Sequence, residues 1–307
     1  MTAAAVESRP TASGPASQSP APNARRDWLT WLWSMPPVLF LGFVFLYPMY
    51  LVVKTALKGA PGTGFTLPVT FSGVLKAPGT RTALWNTLEI AVYSTLGCLV
   101  LGFLLALIIA FVPFPGAKSL SKFIDVFLSF PSFLITVAIM FIYGHGGMAN
   151  GIASDVSGSK NDLLNFIYTP WGIWLAEVTY FTPFVMRPLL SAFSQLDPGQ
   201  LEVAASLGAR PLKIIRQIIL PEAIPALMAG GSLVLMLTLN EYGIVSFTGA
   251  KFQTLPVLIQ SSAQEQGNYA GASALAVVNI ALSLVMFAVY RVVLARMSGG
   301  RRAAAHA

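Results

Sequence analysis

The sequence is poor in the side chains from which most catalytic and metal centres are built. Its 307 residues include one cysteine and two histidines, and only 10% of them are charged. The single cysteine, Cys98, excludes a disulfide framework within the chain and leaves no thiolate cluster for a metal. No serine nucleophile motif accompanies His145 or His306. We therefore expect no metal site, no bound cofactor and no enzymatic activity of the chain's own.

A phosphate-binding loop is missing as well. The motif G-x-x-x-x-G-K-[ST] does not occur, and the sequence Gly-Ala-Lys-Ser at 116–119 lacks the upstream glycine and a preceding strand. If the protein takes part in an ATP-driven process, a partner chain must bind and hydrolyse the ATP.

Apolar residues, in contrast, are abundant. They make up 55% of the chain, and the mean hydropathy of +0.69 is far above that of soluble proteins. The net charge of +7 does not indicate nucleic-acid binding, because the basic residues cluster at the ends of apolar runs and in loops. This composition predicts one integral membrane domain and no nucleic-acid partner.

Long apolar runs predict an all-α integral membrane protein with about six transmembrane helices. The predicted spans cover residues 28–53, 83–112, 123–143, 166–190, 226–247 and 269–295. We place the transmembrane domain at 27–297. A tail at 1–26, rich in Ala, Ser and Pro, is predicted to be disordered, and a basic tail occupies 298–307.

The distribution of positive charge predicts an orientation. If both termini face the cytoplasm, 13 of the 19 Lys and Arg residues lie on the cytoplasmic side. Such an excess is typical of cytoplasmic loops. We therefore expect a multi-pass membrane protein with the polar stretch 201–225 in the cytoplasm.

That stretch is patterned like folded protein although it lies between two apolar runs. Residues 201–207 are good helix formers, with Glu202 in the expected first turn. Gly208 stands where such a helix would end, because glycine takes up the left-handed conformation of a C-terminal cap. Pro211 suits the first turn of a second helix.

In the second helix Leu212, Ile215 and Ile219 would share one face. Pro221 and Pro225 are predicted to bracket its end and the start of the next span. These features alone are equally consistent with an amphipathic helix that lies on the bilayer surface.

The spacing of this stretch favours a different role. Its distinctive positions are Glu202, Ala204, Gly208, Ile218, Leu220 and Pro221, spaced as E-x-A-x3-G-x9-I-x-L-P. This pattern resembles the EAA loop of permease subunits of binding-protein-dependent ABC importers. Val203 departs from it, since the family usually has alanine there. The resemblance implies a type I (MetI-like) permease fold and a cytoplasmic coupling loop, here 191–225, that docks a helix onto the ATPase.

The same resemblance implies a location in the inner membrane and the partners of the chain. They would be two ABC ATPase subunits, a second permease subunit that is either a paralogue or another copy, and a periplasmic substrate-binding protein. ATP would be bound by the ATPase subunits.

Charged and polar groups inside apolar runs are candidates for function, because burying them in hydrocarbon is costly. The candidates for a translocation path are Glu177, Arg187, Asn240 and Glu241. Arg187 is close enough to the end of its span that its side chain could instead extend to the interface. Glu89 and Asp125 lie near span ends, where they could simply reach water.

Further stretches indicate a subfamily. Asn240-Glu241-Tyr242-Gly243 resembles a segment of permeases for polyamines, ferric iron, sulfate and phosphonates. The motifs Phe-Pro-Gly at 114–116, Val-Met-Arg-Pro-Leu at 185–189 and Thr-Leu-Pro at 254–256 are similar to those of 2-aminoethylphosphonate permeases. This resemblance implies a phosphonate solute, while polyamine, ferric iron or another small solute remains an alternative.

Two other classes fit the composition. An ion-coupled secondary transporter would use membrane carboxylates as relays and would show internal repeats, which are not visible. A structural membrane protein would need no EAA-like pattern. Association with an ATPase subunit would separate these classes from an importer permease.

Overall fold

The computed structural model describes residues 24–58, 67–158, 164, 167–248 and 252–305, and within these ranges the chain is helical with no strand. Residues 1–23 of the tail that was predicted to be disordered lie outside the described residues, and its last three residues, 24–26, instead begin a helix. The helices are α1 (Ala24–Lys58), α2 (Leu67–Lys76), α3 (Thr80–Phe111), α4 (Ala117–Phe127), α5 (Ser132–Tyr143), α6 (Met148–Ser157), α7 (Pro170–Phe193), α8 (Pro198–Ser206), α9 (Pro211–Ile214), α10 (Leu220–Leu239), α11 (Gly243–Thr248), α12 (Leu255–Gln260) and α13 (Tyr269–Ala305).

Among the described residues, five segments are long and apolar enough to cross a membrane: Trp33–Leu57, Thr80–Phe111, Ser132–Ser157, Pro211–Leu239 and Tyr269–Val293. The third is not one continuous helix, because the chain turns between α5 and α6. The predicted fourth span corresponds to α7, which is not among the five. Its 24 residues exceed the roughly 20 that a membrane requires, but they include Glu177 and Arg187, which lower its hydropathy.

The core is formed by α3, α7 and α10, which pack closely because glycines face bulkier residues. A Cβ atom on Gly97 of α3 would lie 2.6 Å from Val178 Cγ2 of α7. A Cβ atom on Gly102 of α3 would lie 2.9 Å from Val185 Cβ of α7. A Cβ atom on Gly230 of α10 would lie 2.9 Å from Val185 Cα. The close helix packing that small residues favour in membranes is therefore present at these positions.

Two further groups of helices surround this core. α11 packs against α5 and α7, while α12 packs against α3 and α13. The amide of Leu255, at the start of α12, donates to Thr87 Oγ1 on α3 over 2.8 Å. Asn86, also on α3, donates to the Gln253 carbonyl over 3.0 Å. The segment before α12 is thus fixed to α3 by two hydrogen bonds.

Several predicted boundaries were wrong. The predicted span 123–143 is divided into α4 and α5, because Pro131 has an extended backbone and caps α5. The predicted span 226–247 ends at Leu239, and residues 240–242 are not helical. Three segments between the predicted spans contain α2, α6 and α12, which are too short to show a clear apolar period.

The prediction that Pro221 and Pro225 bracket a helix end was also wrong. α9 continues through a π-helical turn, Ile215–Ile219, directly into α10, and both prolines lie in the first turns of α10. In the π turn the Leu220 amide bonds to the Ile215 carbonyl, five residues earlier. This wider turn precedes Pro221 and gives its ring the room that an α-helical turn denies.

The chain divides within α1 into two compact units, Met1–Leu51 and Val52–Ala307. The described part of the first unit is a single helical stretch that contains Pro36, Pro37 and Pro48. The second unit holds the remaining helices and every side chain discussed below.

Candidate functional site

The loop after α7 is built around α8, a short helix with defined ends. Asp197 caps its N-terminus, since Oδ1 accepts from the Gly199 amide over 2.9 Å, and Pro198 begins the helix. At the other end Gly208 has φ +80°, the left-handed conformation expected of it. The prediction that the helix ends at Gly208 is confirmed.

Two hydrogen bonds close this end in a Schellman motif. The Gly208 amide bonds to the Ala205 carbonyl over 2.9 Å, and the Ala209 amide bonds to the Ala204 carbonyl over 3.0 Å. The spacing between Ala204 and Gly208 therefore has a structural reason. Residues 209–210 are not helical, and Pro211 begins α9 as predicted.

Glu202 is not in the first turn of α8, because the helix begins at Pro198, three residues earlier than predicted. The acidic group at the N-terminus is Asp197. Ile218, Leu220 and Pro221 lie in the π turn and at the start of α10, where each is half-buried. The consensus positions thus form two groups, one on α8 and its cap and one at the base of α10.

Large apolar side chains on this loop are exposed, which the sequence analysis did not predict. Val203 on α8 is 61% exposed, and Leu207, the residue that follows the helix, is 83% exposed. They stand four residues apart and so lie on the same side. Leu212 was expected to share an apolar face with Ile215 and Ile219, but it is 77% exposed while Ile219 is buried. An exposed apolar patch beside polar residues is typical of a protein interface.

A basic groove lies beside this patch. It has a volume of about 420 Å³ and is lined by Arg210, Leu212, Lys213, Arg216 and Gln217. The loop therefore presents a combined apolar and positively charged surface.

Glu177, in contrast, is sealed inside the core. Its side chain on α7 has 0% exposure, and neither carboxylate oxygen has a hydrogen-bond partner among the described residues. Several further polar atoms among the described residues, including Ser94 Oγ, Thr95 Oγ1 and Trp174 Nε1, are also buried without a partner. Unpartnered buried polar groups destabilise a fold, so the buried carboxyl group of Glu177 calls for a functional explanation.

Arg187 lies in a different environment on the same helix. It is exposed and lines an open groove of about 490 Å³ between α7 and α10, together with Pro183, Phe184, Pro188 and Gly230. Ten residues of α-helix separate it from Glu177, which corresponds to about 15 Å along the axis. The two side chains do not share one site in this structure.

Asn240 stands at the end of α10 and connects it to α13. Its Oδ1 accepts from Asn279 Nδ2 over 2.9 Å, and its Nδ2 donates to Ser283 Oγ over 3.4 Å. Asn279 and Ser283, four residues apart on α13, are both buried. These partners were missed, although two polar residues at this spacing in an apolar run indicate a shared helix face.

Glu241 lies in the break between α10 and α11, which we call the 240–242 break. Its Oε1 accepts from the Ile244 amide and from Ser132 Oγ, both over 2.9 Å. The first bond caps α11, and the second reaches the start of α5. A Cβ atom on Gly243 would lie 3.1 Å from Ser132 Oγ and 3.2 Å from Glu241 Oε1, so the glycine leaves room for this contact.

The four polar candidates therefore occupy three places: the sealed core, the groove beside α10, and the 240–242 break. Glu89 is half-buried on α3 and lines another groove with Trp85 and Tyr93. Asp125 lies in α4. In the described residues no group of three His, Cys, Asp or Glu side chains could hold a metal ion.

Comparison with known proteins gives a consistent result. Residues 99–299 match the family model described as binding-protein-dependent transport system inner membrane component. A protein of Salmonella typhimurium named as a 2-aminoethylphosphonate transport system permease, PhnU, is 46% identical over 86% of this chain and 92% of its own length. The spermidine/putrescine transport system permease protein PotB of Haemophilus influenzae is 27% identical over 82% of this chain and 90% of its own.

Among solved structures, a crystal structure of a bacterial alginate ABC transporter, in complex with an alginate pentasaccharide-bound periplasmic protein, contains a chain of the same fold. The TM-score is 0.76 at 18% identity, and the match covers 89% of this chain and 96% of that one. This likeness confirms the predicted permease fold. The chain belongs to the family of binding-protein-dependent transport system inner membrane components and is a membrane-spanning permease subunit of an ABC importer.

Proposed function

We propose that this permease subunit carries 2-aminoethylphosphonate or a closely related phosphonate across the inner membrane. The main support for this proposal is the 46% identity to the Salmonella permease. The match extends over 86% of the chain and so includes the helices of the core. The 27% identity to the spermidine/putrescine permease supports the importer class more than a polyamine solute.

Arg187 is the residue of this chain best suited to a phosphonate. A guanidinium group forms paired hydrogen bonds with phosphate-like oxygens, and Arg187 lines an open groove between α7 and α10. Glu177 carries the opposite charge, but it is sealed in this conformation and lies about 15 Å along α7 from Arg187, too far for both to hold one small solute at once. We propose that Glu177 meets the ammonium group at a separate step of transport, when helices other than α3 rearrange around α7 and supply its missing partners.

The solute is tested by uptake of labelled 2-aminoethylphosphonate in cells with and without this chain, with unlabelled phosphate, putrescine and ferric iron as competitors. The proposal predicts that deletion abolishes uptake and that only unlabelled aminophosphonate competes. Unchanged uptake, with loss of putrescine or iron uptake instead, would remove the phosphonate and keep the importer.

We further propose that α8 docks onto the ATPase subunit, with both chain termini in the cytoplasm. The exposed pair Val203 and Leu207 gives α8 an apolar face that has no partner within the described part of this chain. The basic groove at 210–217 would be complementary to an ATPase surface that has acidic residues around an apolar cleft. Val203, where the family usually has alanine, would insert a larger side chain into that cleft.

Copurification tests the docking. The double variant Val203→Asp/Leu207→Asp places two charges on the apolar face and should abolish capture of the ATPase subunit by the tagged permease. Ser194→Asp, on an exposed residue before the α8 cap, is the matched control and should leave capture unchanged. Equal capture by both variants would place the docking surface elsewhere.

A further inference from the structure

The contacts between α5 and the 240–242 break differ in kind from those inside the core. In the core, Gly97 faces Val178 and Gly102 faces Val185 at distances that leave no space for a side chain. Separating α3 from α7 would expose fully buried apolar surface, which is unfavourable. These contacts between α3 and α7 are therefore expected to stay closed throughout the transport cycle.

The start of α5 meets the 240–242 break through a polar contact that is only partly buried. Ser132 and Glu241 are half-buried, and their hydrogen bond is 2.9 Å long. Beside it Phe133 packs on Phe247 of α11, at 5.9 Å between centroids, and both rings are partly exposed. Further along, Ile135 of α5 belongs to the same buried apolar cluster as Ile244 of α11, so this part of the interface is expected to stay closed. A single hydrogen bond contributes about 0.5 to 1.5 kcal/mol, so the start of α5 can leave the break with a small change in free energy.

One oxygen serves both bonds of Glu241. Oε1 holds the N-terminus of α11 through the Ile244 amide and holds α5 through Ser132. On the other side of the break, Asn240 is tied to Asn279 of α13. If Ser132 is released, Glu241 stays in place, because α11 continues to bind it.

We propose that the Ser132–Glu241 hydrogen bond is a releasable clasp, which holds α5 against the 240–242 break in the present conformation and opens in each transport cycle. An importer must alternate between inward and outward access, and this requires some helix contacts to part and re-form. Glu241 is thus a positioning residue that sets when the start of α5 leaves the break. The inference rests on the importer cycle and is independent of which solute is carried.

The first test removes only the donor. In the full importer complex reconstituted in proteoliposomes, Ser132→Ala should raise ATP hydrolysis in the absence of binding protein by roughly two- to tenfold, the factor by which one hydrogen bond shifts an equilibrium. Ser246→Ala is the matched control, since Ser246 Oγ donates only to the Gly243 carbonyl within α11, over 2.9 Å. An equal or lower rate for Ser132→Ala than for the control would overturn the proposal.

The second test locks the clasp. A Cβ atom on Gly243 would lie 3.5 Å from Phe133 Cβ, a separation that a disulfide can bridge, so Phe133→Cys/Gly243→Cys should crosslink α5 to α11 on oxidation. The control crosslink, Gly97→Cys/Val178→Cys, has a corresponding separation of 3.7 Å and joins α3 to α7 inside the core. Buried Cys98 should not compete for either crosslink.

ATP hydrolysis by each complex is then compared between the oxidised and the reduced form of the same variant. A defect caused by the substitutions themselves appears in both forms and cancels. The proposal predicts that oxidation stops hydrolysis only in the α5–α11 variant and that reduction restores it. Equal rates in its two forms would overturn the clasp. Since the readout is ATP, a wrong solute in the uptake experiment leaves this test unaffected.

Discussion

The side-chain amide of Asn279 on α13 donates a hydrogen bond to Oδ1 of Asn240, at the C-terminal end of α10, over 2.9 Å. Asn279 is buried in a helix that is otherwise strongly apolar, so its partner lies on another helix. The pair fixes the end of α10 against α13 directly beside the 240–242 break.

A double-mutant cycle measures this pair. Asn240→Ala and Asn279→Ala, alone and together, should show a coupling of about 0.6 to 1.7 kcal/mol, the range found for hydrogen bonds between membrane helices. Thermal or denaturant unfolding in detergent supplies the free energies. Additive effects would mean that the two amides stabilise the protein independently.

Gly208→Ala should weaken docking without disturbing the membrane helices. Its φ of +80° costs a residue with a Cβ atom about 1 to 2 kcal/mol, so we expect binding of the ATPase subunit to fall by roughly five- to thirtyfold. Gly151→Ala is the matched control, because Gly151 lies in α6 with open space around its Cβ position and no positive φ. Equal ATPase binding by the two variants would contradict the role of the α8 cap.

Gly97→Ala should destabilise the core by about 1 to 3 kcal/mol, as expected for overpacking. The added methyl group would meet Val178 Cγ2 at 2.6 Å, while Val178 Cβ is at an ordinary 3.7 Å. Val178→Ala removes the colliding atom, and the double variant should regain most of the lost unfolding temperature. Failure of this rescue would show that α3 and α7 do not pack as described.

Glu177→Met should increase stability and reduce transport. It replaces a buried carboxyl group that has no partner among the described residues with an apolar group of similar size, so unfolding should require about 1 to 3 kcal/mol more. If Glu177 belongs to the translocation path, ATP-driven uptake falls in the same variant, a trade-off common at functional sites. Glu177→Gln, which keeps the shape, serves as the control for stability. Normal uptake by the methionine variant would remove Glu177 from the path.

Composition was sufficient to predict that the chain is built from membrane helices. A single residue type was sufficient to predict the cap at the end of α8. Gly208 could be assigned a left-handed cap because few other residues favour that conformation. The start of α8 was placed three residues late, although Asp197 followed by Pro198 is itself a cap signal.

The remaining differences arise from effects that a local pattern does not contain. The π turn before Pro221 lets a helix continue where proline normally ends it. The pairing of Ser132 with Glu241 joins positions 109 residues apart, and only the packing of α5 against α11 brings them together. Family resemblance marked Glu241 as important, but the structure shows the contacts that it makes.

Site-specific crosslinking from α8 to the ATPase subunit tests the coupling claim most directly. A photoreactive maleimide on Val203→Cys would report what covers α8, with Tyr242→Cys in the 240–242 break as an exposed control. The account predicts a crosslink to the ATPase from position 203, a yield that changes when ATP is added, and none from position 242. Equal crosslinking from both positions, or none from position 203 in an assembled and active complex, would contradict docking through α8.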